Sequence, residues 1–180
     1  LIDTVFCGAQ FYHKPDYSYE LAILQKAAPS DKLLAWYGPD EPQNYKAWLG
    51  NKLTINKYDK KHPVASAFCT ADAVANLGPY CEVTMIDIYS TRKGVFTNSM
   101  VDHADAIRSA KAFTAGKKVW FIPQSYGDRG GQRMPTPAEM RFEVFNSISA
   151  GVSGMIFFIY DDSCSYLAPK VIEPNSEKFD

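Results

Sequence analysis

The chain has no apolar run near the roughly 18 residues a membrane-crossing helix needs. It has no excess of either charge: 19 Lys and Arg stand against 20 Asp and Glu. So even a balance leaves no electrostatic footprint for nucleic acid or an anionic membrane surface. Histidine is scarce, and His13, His62 and His103 lie far apart without His-x-His or His-x-x-x-His spacing. Cys7, Cys69, Cys81 and Cys164 include no Cys-x-x-Cys pair, so no metal centre and no cofactor is expected. Gly127-Asp128-Arg129-Gly130-Gly131 is not followed by Lys-Ser/Thr and is no phosphate cradle. It reads as a loop shaping access to a site, with Arg129 and Arg133 solvated or facing an acidic ligand. Repeats, low-complexity tracts and linkers are also missing, and residues 1–180 are expected to form a single domain.

What is present is apolar and aromatic. The chain is organised around Lys32-Leu33-Leu34-Ala35-Trp36-Tyr37-Gly38-Pro39-Asp40-Glu41-Pro42. A short apolar run bounded by turn residues reads as a strand buried on both faces. Gly38-Pro39 ends it, and Pro42 suits the first turn of a following helix. Asp40 and Glu41 then sit where a strand passes into a helix, the position at which α/β barrels build active sites.

Five further strands are predicted: around Asp3–Phe11, Pro63–Cys69, Glu82–Tyr89, Lys118–Gln124 and Val152–Tyr160. Between them helices are predicted over Tyr17–Ala28, Gln43–Asn56, Asp72–Leu77, Met100–Ala115 and Thr136–Ala150. The last has agreeing start signals: Thr136 as N-cap, Pro137 as first helical residue and Glu139 closing a capping box, with Gly151 as terminator. Cys69 and Cys81 flank the short helix and pair only in an oxidising compartment; otherwise they are small buried hydrophobes.

Strands that lack alternation and are separated by helices argue for a parallel sheet covered on both faces, the α/β class. Polar groups gather after the strands: Asp40 and Glu41, Asp87, Gln124, and Asp161 with Asp162. In a closed (β/α)8 barrel these share one rim.

The stretch Trp36-Tyr37-Gly38-Pro39-Asp40-Glu41-Pro42 resembles the end of the fourth strand in clan A glycoside hydrolases, where Asn-Glu-Pro or Asp-Glu-Pro carries the acid/base glutamate. Asp87-Ile88-Tyr89 is similar to the sixth strand end, and Val119-Trp120-Phe121-Ile122-Pro123-Gln124 to the seventh. Thr136-Pro137-Ala138-Glu139-Met140-Arg141 resembles the helix before the last strand, and Gly151-Val152-Ser153-Gly154-Met155-Ile156-Phe157-Phe158 that strand itself. The resemblance implies a partial (β/α)8 barrel holding about strands three to eight. The chain opens at Leu1 without methionine or leader, so two strands are expected upstream in a longer protein. A carbohydrate substrate and a secreted or periplasmic setting follow from the resemblance. The chain departs from the pattern twice. Asp40 replaces the usual asparagine, and Gln124 stands where the family has its glutamate nucleophile.

Glycoside hydrolysis uses two carboxyl groups, about 5 Å apart for retention and roughly 6.5–9.5 Å for inversion. Glu41 is the candidate general acid and Asp87 the candidate second carboxylate, with Asp161 and Asp162 as alternatives. Asp40 is a candidate substrate ligand or a helix cap, and Gln124 can hydrogen-bond a sugar hydroxyl. Tyr89, Tyr126 and Tyr160 are candidate stacking rings, whereas Trp36 and Trp120 are expected in the core. The alternative function is a non-catalytic carbohydrate-binding barrel without a nucleophile.

Overall fold

A computed structural model of the chain describes residues 5–8, 18–42, 45–91, 102–127 and 132–158. Strands and helices alternate: β1 (Val5–Gly8), α1 (Ser18–Ala27), β2 (Leu33–Tyr37), α2 (Tyr45–Tyr58), β3 (Val64–Phe68) and α3 (Ala71–Leu77) come first. A 3-10 turn at Gly78–Tyr80 leads into β4 (Val83–Ile86), α4 (Asp102–Phe113), β5 (Lys118–Phe121), α5 (Pro137–Ala150) and β6 (Gly154–Met155). The strands are neighbours in chain order, and β1–β2, β2–β3 and β5–β6 pair in parallel. Parallel neighbours joined through helices make the chain α/β, the partial (β/α)8 barrel class that the sequence pattern implies. The chain divides into two compact units, Leu1–Met85 with Phe113–Lys118, and Ile86–Ala112 with Val119–Asp180.

In the first unit, Leu24, Leu33, Trp36, Ile55 and Val64 form the core between α1, α2 and the sheet. Trp36 is fully buried and its indole N–H donates to Asp59 at 2.8 Å. β3 is enclosed along its whole length, while β2 leaves Leu34 47% exposed, so β2 is not covered on both faces as its composition suggests. α3 begins as its sequence dictates, the Thr70 hydroxyl accepting from the Ala73 N–H at 3.2 Å. α2 is described from Tyr45; Gln43, where the helix is expected to begin, lies outside the described residues. Cys69 and Cys81 are not joined by a disulfide; burial pushes the Cys81 thiol up to about 12, and it donates to the Leu77 carbonyl.

In the second unit, Ile86 at the end of β4 accepts from the Ile122 N–H at 2.8 Å, just past β5. Trp120 is buried beneath Gly154, where an added Cβ would stand 2.8 Å from the indole. β6 is shorter than predicted because Pro123 has no N–H to give. The pairing resumes beyond it: Phe158 N–H donates to the Pro123 carbonyl at 3.1 Å, and Ser125 N–H to the Phe158 carbonyl at 2.7 Å. α5 carries the full capping box of Thr136 and Glu139. It closes on Gly151 at φ 88°, with Gly151 N–H to Ile148 O and Val152 N–H to Ser147 O in a Schellman arrangement.

Candidate functional site

The end of β2 is held tightly. Gly38 N–H donates to the Ala65 carbonyl at 2.8 Å, and a Cβ on Gly38 would come within 3.1 Å of Ser66 Oγ and Val64 Cγ1. A side chain there would make Ser66 and Val64 give way by a few tenths of an ångström as the chain leaves the sheet. Asp40 follows, exposed, with the Tyr37 hydroxyl donating to its Oδ1. Glu41 is also exposed and sits at φ 43°, the left-handed region, which costs a residue bearing a Cβ about 1–2 kcal/mol. The turn therefore presents two adjacent carboxylates to solvent at a strand's C-terminal end. Asp40 is tied to Tyr37 through that bond.

In the second unit the strand ends carry rings and a buried polar network. Tyr89, Tyr126 and Phe158 meet edge to face and stacked, with ring centroids 5.2, 5.6 and 6.4 Å apart. Tyr89 and Phe158 are part exposed and Tyr126 is buried. Tyr160, Asp161 and Asp162, the other predicted members of this rim, and Arg129 lie outside the described residues. Asp87 is buried where the chain leaves β4, with Oδ1 enclosed.

Gln124 is 1% exposed, and its amide is committed at both ends. Oε1 accepts from Thr91 Oγ1 at 2.8 Å and Thr91 N at 3.3 Å. Nε2 donates to the carbonyls of Arg133 at 2.9 Å, Tyr126 at 3.0 Å and Thr91 at 3.4 Å. No donor or acceptor is left for a sugar hydroxyl, so this amide is a clamp between three segments and not the sugar ligand the sequence suggests. Arg133 is part exposed and already paired within the chain. Its guanidinium forks onto Glu139, one arm at 2.7 Å. Arg133 beside it holds Glu139 down to about 2, against the opposing effect of burial, and Thr136 adds two donors.

The residue sequence reasoning missed is Glu143. It projects from the middle of α5, is 1% exposed, and takes the Ser90 hydroxyl on Oε1 at 3.0 Å. The Gln124 backbone N–H lies near enough to favour its charged form. β4 ends at Ile86, before the predicted Tyr89. Burial pushes Glu143 up to about 7; Ser90 and Gln124 oppose the shift, and the charge of Glu139 adds to it. The signal was present in the spacing Glu143, Ser147, Ala150, one face of a helix made of small and polar residues.

His62 and His103 are buried, and His13 lies outside the described residues. His62 lies 2.7 Å from Asp59 through Nδ1, and His103 stacks on Phe121 with centroids 4.9 Å apart. Burial would raise Asp59, but His62, Trp36 and the N–H groups of His62 and Lys61 outweigh it and lower its pKa. Among the described residues no three His, Cys, Asp or Glu side chains are grouped as metal ligands. No described helix is long and apolar enough to cross a membrane.

Comparison with solved structures places the fold. A truncated 3-deoxy-D-arabino-heptulosonate 7-phosphate synthase from Thermotoga maritima aligns at TM-score 0.54 and 13% identity, covering 86% of this chain and 50% of that one. A β-D-glucuronidase from Dictyoglomus thermophilum aligns at TM-score 0.54 and 13% identity, over 83% of this chain and 31% of that one. A β-glucuronidase from Ruminococcus gnavus, in complex with D-glucuronic acid, aligns at 0.51 and 17%, over 71% and 26%. This chain thus spans half or less of the length of each. The likeness is one of fold, shared with glycosidase barrels and with an enzyme of other chemistry. No protein-family model matches the chain, and neither does any curated protein.

Proposed function

We propose that this chain is part of a glycoside hydrolase-type barrel that cleaves a glycosidic bond at the C-terminal rim of its strands. The observation that carries the reading is Glu41 itself: an exposed carboxyl, strained at φ 43°, on an Asp-Glu-Pro turn at the end of a parallel strand. Strain at such a position marks a site where geometry outweighs stability. In this reading Glu41 protonates the leaving oxygen, and Asp40, steadied by Tyr37, orients a sugar hydroxyl. Asp87 is the second carboxylate, activating water in an inverting reaction or attacking the anomeric carbon in a retaining one. Tyr89 and Phe158, part exposed over the buried Tyr126, offer ring faces to the sugar, with Tyr160 and Asp161 following them in the chain.

A second reading is favoured by one observation, the commitment of Gln124. The position where the resemblance puts a nucleophilic glutamate carries an amide built into the protein interior. That suits a barrel that binds carbohydrate without cleaving it. The two readings separate in one assay, hydrolysis of a panel of 4-nitrophenyl glycosides by the full-length protein carrying this chain, beside Asp87→Asn. Turnover lost in the variant supports the hydrolase. Absence of turnover on every sugar, with retention on polysaccharide-containing gels, supports the binding barrel.

A further inference from the structure

We propose that Glu143 is a positioning residue, a proton-holding latch that fastens the segment after β4 to the segment after β5 and so sets Tyr89 against Tyr126. The latch stands on the network around Glu143; only its consequence for a sugar rests on the reading above.

An ionised carboxylate has about four acceptor sites to fill. Glu143 takes the Ser90 hydroxyl on Oε1, the Gln124 N–H lies near enough to favour its charged form, and its Oε2 is enclosed with no hydrogen-bond partner among the described residues. Ser90 follows Tyr89 directly, and Gln124 precedes Tyr126 by two residues. The latch thus joins the two segments at the roots of the paired rings. Among the described residues, the charge that acts on it is that of Glu139, of like sign. Glu139 lies on the same helix and is occupied by Arg133. The segment after β4 brings Asp87, another acid; the described residues 122–127 and 152–158 bring no ionisable side chain but Tyr126.

Protonated, Glu143 keeps Oε1 as acceptor for the Ser90 hydroxyl and buries no charge. Ionised, it is a buried anion with acceptor sites left empty, and the nearest relief is water entering between Ser90 and Gln124. The ring pair is therefore fastened while the proton is held and loosened when it leaves, around neutral pH.

The test is made on the whole chain labelled with 13C at glutamate Cδ, titrated by NMR, with amide exchange at residues 88–91 and 124–127 followed from pH 6 to 8 and corrected for intrinsic exchange. One glutamate should titrate near neutrality, and protection in both segments should fall about tenfold as it does. Glu143→Gln keeps the shape and the acceptor oxygen, and should hold protection constant across the range. Ser90→Ala removes a donor to the anion and should move the midpoint higher, an outcome independent of whether the glutamine variant folds. All glutamates titrating in the ordinary carboxylate range, or equal loss of protection in wild type and Glu143→Gln, would overturn the proposal. A chain whose latch titrates as stated but which never binds a 4-nitrophenyl glycoside would refute the sugar reading alone.

Discussion

Thr91 donates through Oγ1 to Gln124 Oε1 across 2.8 Å, and returns the contact by receiving Gln124 Nε2 on its carbonyl at 3.4 Å. This reciprocal pair makes the glutamine a splice between the segments following β4 and β5. Restoring the glutamate that the family resemblance expects would therefore be costly. In Gln124→Glu, an oxygen replaces the nitrogen that donates to the carbonyls of Tyr126 and Arg133. We expect a loss of roughly 2–4 kcal/mol in urea unfolding, from lone pairs facing lone pairs in a buried site. No glycosidase activity should be gained. A variant as stable as wild type and newly active would show that the amide is a lapsed nucleophile and not a clamp.

The Arg133–Glu139 fork predicts an acid-sensitive start to α5. Glu139 sits at about 2 in the folded chain, below its ordinary value of 4.5, so its stabilisation is complete above about 4.5 and disappears as pH falls toward 2. Glu139→Gln should lower stability by about 1–2 kcal/mol at pH 7, less than the full shift converts to, because the pair is part exposed and screened. The gap between variant and wild type should close as the pH is lowered through that window, read as thermal midpoints. A gap that persists at the acid end would assign the effect to the lost cap geometry instead.

How much of this was legible beforehand differs from residue to residue. The borders of α5 were written in Thr136, Pro137, Glu139 and Gly151, because caps are local chemistry, and the structure uses them all. The interior of the same helix was not. Phe142, Phe145 and Ile148 are 44%, 66% and 54% exposed, while Glu143, Ser147 and Ala150 turn inward. Hydrophobicity alone points the wrong face at the sheet, since the buried acid finds its donor in Ser90, far away in sequence. Gln124 was singled out correctly as a strand-end residue, but its partners Thr91 and Arg133 come from segments whose approach no local pattern encodes. Glu41 was legible as a motif; its left-handed backbone was not.

Gly151 gives a stability test of the last turn. At φ 88° an alanine is strained, and its Cβ would stand 2.3 Å from Lys111 Nζ, which can swing aside. Gly151→Ala should cost about 1–2 kcal/mol, nearly all of it backbone strain, so Lys111→Ala should not rescue it. Rescue by the second change would assign the cost to the lysine contact.

The most direct test of the central claim is the leaving-group dependence of Glu41→Gln. A general acid matters most when the departing oxygen is strongly basic, and little when it leaves unaided. If Glu41 is the acid, Glu41→Gln should slow hydrolysis of a methyl glycoside by at least about 100-fold more than that of the matching 2,4-dinitrophenyl glycoside. Equal loss on both substrates, or no loss on either, would contradict general acid catalysis by Glu41.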